Sequence, residues 1–170
     1  MTDEDIRLAA DYFSAVKPKP AYSVVETATV PKTYVKRTHV MRSPGNETEA
    51  TGQRIVEIPA DGQQFEHRDP RSKFIAYVPP GSLAKGENLV KTGGAGTTVA
   101  CASCHGADLK GLGPIPGIAG RSPSYIVRQL YDIQQGTRAG AMSALMKPTV
   151  EKLTGEDMNA IAAYLATQQP

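Results

Sequence analysis

The pentapeptide Cys101-Ala102-Ser103-Cys104-His105 constrains this chain more than any other feature. Its two cysteines are the only ones among 170 residues. A disulfide between them would close a very small loop and constrain little. A zinc half-site would need a second Cys or His pair at ligand spacing, but His39 and His67 stand far apart. A thioredoxin-like pair would need βαβ surroundings, whereas this region reads as Gly-rich loop and short helix. The same spacing also lets two thiols add across the two vinyl groups of a haem, with the adjacent His under the iron. A ligating imidazole needs its other ring N–H held by an acceptor. The segment Pro114-Ile115-Pro116 follows within reach, and the Pro116 carbonyl is the expected acceptor. The alternative is that these prolines only stiffen a loop.

Composition fits a chain that buries such a group. Only 6% of residues are aromatic and none is Trp, so material for a large core is scarce. A macrocycle would supply apolar surface of its own. The net charge of +2, without a Lys/Arg cluster, is too mild to argue for nucleic acid. No apolar run reaches membrane-spanning length. The first residues lack the basic-then-apolar pattern of an export signal, which suggests a mature form, an engineered form or a mis-started reading frame.

The chain divides near Pro79-Pro80-Gly81 into residues 1–80 and 81–170. Residues 1–17 predict an amphipathic helix, with Thr2 as N-cap and Asp5 in the box position. Lys17-Pro18-Lys19-Pro20 ends it. The Pro-punctuated stretch 21–80 admits short strands at Tyr22–Val30, Arg54–Ile58 and Lys73–Val78, with a polar loop at Ser43–Gly52. This part is expected to wrap over something rather than build its own core. Beyond Gly81, helices are predicted at Ser82–Thr92, from Ser122 or Ser124 to Gln135, and at Thr154–Thr167, the last with a Thr154/Asp157 box. Gly106–Gly120 and Gly136–Pro148 read as loop. The first and last helices share a weak repeat, Thr2…Glu4-Asp5…Ala10…Tyr12…Pro18 against Thr154…Glu156-Asp157…Ala162…Tyr164…Pro170. Either two capped helices look alike, or residues 1–80 keep a remnant of a preceding domain.

Residues 81–170 resemble a class I cytochrome c, in particular the modules of periplasmic diheme cytochromes. The resemblance rests on Gly86-Glu87-Asn88-Leu89, the CASCHG run, Pro116 to Arg121, Tyr125…Gln129-Leu130 and Gly136-Thr137-Arg138. It continues through Met146-Lys147-Pro148 and Leu153 to Asp157 followed by Ala163-Tyr164-Leu165. It implies an all-α fold over about 81–170, preceded by an irregular, Pro-rich extension. It further implies one covalent haem c whose iron is held by His105 and by a Met from the loop between the last two helices. Met146 fits that position, and Met142 is the alternative. Bis-His ligation through His39 or His67 is disfavoured.

Arg121, Arg128, Arg138 and Tyr125 are candidates to line the haem, Arg by pairing with propionates. Tyr125 and Arg138 match the positions the resemblance implies, whereas Arg128 reads equally well as a solvated side chain. The function implied is one-electron transfer without enzyme activity, in the periplasm, between a donor dehydrogenase or reductase and a terminal oxidase or other acceptor. A cytochrome subunit of a periplasmic dehydrogenase is the alternative, and a haem peroxidase or ligand sensor a more remote one. Residues 18–80 depart from the simple pattern, as a linker, a docking surface or a cover over the haem edge.

Overall fold

The computed structural model describes residues 1–36 and 39–170. Helix α1 (Asp3–Ala15) is followed by six short strands: β1 (Tyr22–Glu26), β2 (Thr29–Pro31), β3 (Thr33–Lys36), β4 (His39–Arg42), β5 (Thr48–Ala50) and β6 (Val56–Pro59). Then come α2 (Gly62–Glu66), β7 (Phe74–Val78), α3 (Ser82–Thr92), α4 (Ala102–His105), β8 (Gly111–Leu112) and β9 (Ile115–Pro116). The chain ends with α5 (Pro123–Gln135), a 3-10 turn at Ala141–Met146, α6 (Lys147–Val150) and α7 (Gly155–Thr167).

The all-α expectation is corrected by this architecture: about 41% of the chain is helix and about 19% is strand. The strands arise where β-branched and aromatic residues cluster between prolines. Strand β7 is central to a three-stranded sheet, parallel to β1 and antiparallel to β6. Tyr22 pairs with Phe74 in register, and their rings stack at 5.5 Å. Val56 and Ile58 of β6 are buried with Val30, and Tyr77 packs against them. The extension therefore builds a small core of its own as well as lying against α7. Strand β5 falls inside the segment expected to be polar loop, where Thr29–Pro31 supplies its antiparallel partner.

The larger core belongs to α3, α5 and α7. Leu89 and Val90, Ile126, Leu130 and Ile133, and Met158, Ile161 and Leu165 form one buried cluster. Each set follows the helical stripe. The crossing of α3 and α7 is set by Gly86: a Cβ built there would lie 2.0 Å from the Ala160 carbonyl oxygen and 2.8 Å from Tyr164 Cβ. Helix α1 carries the predicted Thr2/Asp5 capping box but has no buried residue.

At the start of α7 the predicted Thr154/Asp157 box is complete, and Lys85 Nζ of α3 lies 2.8 Å from the Asp157 carboxylate. Burial alone would raise the Asp157 carboxyl pKa, but hydrogen bonds from Lys85 and Thr154 outweigh it and hold it below the usual range. A carboxyl depressed in this way contributes stability that is complete above its unfolded value of about 3.9. That contribution is lost as pH falls through the lower folded value. Urea midpoints are therefore expected to decline below about pH 4, and Asp157→Asn to flatten that decline while lowering stability at neutral pH.

Candidate cofactor site

The Cys101–His105 segment is one helical turn. The His105 amide donates to the Cys101 carbonyl at 2.9 Å, and the Cys101 amide is anchored to the Val90 carbonyl of α3 at 2.9 Å. The turn places both thiols and the imidazole on the wall of one cavity of about 340 Å³. That lies within the span of roughly 300–1,000 Å³ usual for cofactor-sized ligands. The wall is mostly apolar, with Ile118, Ile126, Leu130, Ile133, Ile161 and Leu165 from the loop, α5 and α7.

His105 is buried, and its Nδ1–H donates to the Pro116 carbonyl at 2.7 Å. A carbonyl can only accept, so in the neutral imidazole this hydrogen bond selects the tautomer with the proton on Nδ1 and the lone pair on Nε2. Nε2 makes no hydrogen bond, and no described side-chain nitrogen or oxygen is both buried and unpartnered. Nε2 is therefore accessible through the cavity that His105 lines. The Pro116 carbonyl is presented by the β8–β9 hairpin, in which Gly111, at φ 101°, is the strand partner of Pro116. A Cβ at Gly111 would come within 2.6 Å of the Ile115 carbonyl oxygen. The loop is pinned below by the Leu109 carbonyl, which accepts the amides of Ile118 and Ala119.

Cys101 is half-buried and Cys104 exposed, and both are free thiols. Burial pushes the Cys101 thiol up to about 11. Among the described residues, no group of three or more His, Cys, Asp or Glu side chains comes together that could complete a zinc site.

Met142 and Met146 both line the cavity from the 3-10 turn. Met142 is 55% exposed, whereas Met146 packs against the main core. The turn after Met146 is tied to α5. Lys147 Nζ donates to the Gln134 carbonyl at 2.7 Å, and Gln134 Nε2 donates to the carbonyls of Val150 and Leu153. Sequence reading missed Gln134, since a glutamine on a helix gives no spacing signal. Tyr125, Arg121 and Arg138 also line the cavity, while Arg128 does not. Arg138 donates to the Gln129 side chain. His39 meets the Phe65 ring in the extension and, like His67, is not among the lining residues.

These residues fit a covalently held haem. Two thiols stand one turn apart. A buried imidazole has one nitrogen occupied and the other available. Two thioethers reach the same apolar cavity.

Comparison with known proteins agrees. The family model described as Cytochrome c matches residues 83–169, and the chain belongs to the cytochrome c family, whose members carry haem c and transfer electrons. Cytochrome c-554(548) of Halomonas halodenitrificans is 37% identical over 90 residues, spanning 52% of this chain and 99% of that protein. The cytochrome subunit of sulfide dehydrogenase of Chlorobaculum tepidum is 34% identical over 105 residues, 62% of this chain and 84% of its own. Cytochrome c4 of Azotobacter vinelandii is 33% identical over 85 residues, 45% of this chain, which spans only 40% of that relative. A solved cytochrome c4 of Acidithiobacillus ferrooxidans aligns over 51% of this chain and 49% of its own, at 31% identity and a TM-score of 0.46. No described helix is long and apolar enough to cross a membrane.

Proposed function

We propose that this chain is a periplasmic one-electron carrier rather than an enzyme, with one haem c held by Cys101 and Cys104 and ligated by His105 and Met146. The observation that carries this is the His105 N–H bound to the Pro116 carbonyl at 2.7 Å, beside two thiols and two thioethers on one apolar wall. When bound, the haem supplies a ferric/ferrous couple.

The chain's own residues would do the rest. The Pro116 carbonyl holds the imidazole ring and raises its basicity as a ligand. Met146, on the turn tethered through Lys147 and Gln134, would hold the iron together with His105 and so leave no place for a substrate. The apolar wall excludes water and disfavours the more highly charged oxidised state. Arg121 and Arg138 are placed to pair with propionates, and Tyr125 to cover an edge. Exposed Val99, Tyr125, Met142 and Leu145 at the rim form the surface on which a redox partner would dock. The names of two relatives, a sulfide dehydrogenase subunit and a thiosulfate dehydrogenase electron acceptor, support a dehydrogenase as electron donor. Residues 81–170 would then be the cofactor module. Residues 1–80, with the exposed apolar side chains of α1, would contact another module or subunit.

A potentiometric titration followed by visible absorption tests this reading. A single reversible one-electron transition is expected, low-spin in both states and indifferent to carbon monoxide. A high-spin ferric protein that binds cyanide or carbon monoxide readily would contradict it.

A further inference from the structure

Two strands of the extension each send a carboxylate to the start of a helix. Glu26 Oε1 of β1 accepts the Leu83 amide of α3 at 2.7 Å, supplying a cap that Gly81 lacks. Glu57 of β6 accepts from the Ser122 hydroxyl at 3.1 Å to each oxygen, the Ser124 amide at 3.2 Å and the Ser124 hydroxyl at 2.9 Å. Ser122 is the N-cap of α5 and accepts the Tyr125 amide at 3.2 Å. The chain of contacts thus runs from β6 through Glu57 and Ser122 to Tyr125, a residue on the cavity wall.

The two helices differ in what they form. Helix α3 contributes no residue to the cavity wall, whereas α5 contributes Tyr125, Ile126, Gln129, Leu130 and Ile133. Glu57 is half-buried, so its charge is less screened than that of exposed Glu26. It sits at the positive end of the α5 dipole. An oxidised haem carries one more positive charge than a reduced one. A carboxylate that offsets the helix's positive end therefore favours the oxidised form.

We infer that Glu57 is a positioning residue for the haem-facing helix, and that through it the β layer of residues 18–80 lowers the reduction potential of the cofactor. This rests on the function proposed above.

The test uses the full haem-loaded chain and two variants, Glu57→Gln and Glu26→Gln. Each substitution keeps the side chain's shape and an acceptor oxygen while removing the charge. Both are expected to lower the urea midpoint. Only Glu57→Gln is expected to raise the midpoint potential, by more at low than at high ionic strength. A third variant, Glu57→Asp, keeps the charge and is expected to lie closer to the wild-type potential. A Glu57→Gln potential that moves no further than that of Glu26→Gln would overturn the inference and leave the carrier reading intact. A wild-type chain that takes up no haem would overturn the carrier reading itself.

Discussion

Replacing Gly86 with Ala is expected to cost about 3 kcal/mol of stability or more, although Ala is the better helix former by about 1 kcal/mol. The packing effect wins because nothing at the crossing can yield by rotation. The added Cβ would meet the Ala160 carbonyl oxygen at 2.0 Å, its carbon at 2.7 Å and Tyr164 Cβ at 2.8 Å. Relief requires α3 and α7 to move apart. Helix α7 carries Ile161 and Leu165 on the cavity wall, so the same displacement opens the cofactor site. Urea unfolding of the haem-loaded variant checks the first consequence, and its visible spectrum the second. A variant as stable as the parent would show that the crossing has slack. A larger side chain, as in Gly86→Val, is expected to prevent folding.

The second large effect concerns the two methionines. Met146→Ala is expected to convert the cofactor from an inert to a ligand-binding state, with carbon monoxide affinity rising by orders of magnitude and the reduction potential falling. Loss of a half-buried Met also costs about 2 kcal/mol in packing. Met142→Ala is expected to change neither property much, since that side chain is 55% exposed. Carbon monoxide titration of both reduced variants separates them. The opposite result, a ligand-binding Met142 variant and an inert Met146 variant, would exchange their roles. The geometric reason for the assignment is local. Met146 directly precedes Lys147, which is tied to the Gln134 carbonyl, and it packs on the core, whereas Met142, four residues earlier, is 55% exposed.

Much of this site could be read in the sequence because its chemistry is local. One turn of helix fixes the relation of Cys101, Cys104 and His105. Pro116 lies only eleven residues from His105, close enough for a short loop to close on it. The capping boxes at Thr2/Asp5 and Thr154/Asp157 were legible for the same reason, since each joins residues three positions apart. The helices at Ser82–Thr92 and Pro123–Gln135 follow from apolar spacing with a glycine or a serine cap at their ends.

Contacts that bridge distant segments were not legible. Gln134 reaches Val150 and Leu153, Glu57 reaches Ser122 and Ser124, and Glu26 reaches Leu83. Each joins residues sixteen to sixty-seven positions apart, and a polar side chain carries no mark of a distant partner. The strands were partly visible as β-branched stretches, but their pairing was not. Phe74–Val78 takes one partner parallel and one antiparallel, and sheet register depends on long-range packing. The all-α expectation, set for residues 81–170 after an irregular extension with short strands, is corrected for this reason: the extension pairs its strands into three small sheets, and β8 and β9 pair within 81–170.

Intact-mass spectrometry bears most directly on all of this, applied to the chain after expression in a bacterium able to mature c-type cytochromes. The account predicts a mass higher than the polypeptide by one haem, retained under denaturing conditions and lost when Cys101 and Cys104 are both replaced by Ala. A polypeptide at its bare mass, or a haem released on denaturation, would contradict it.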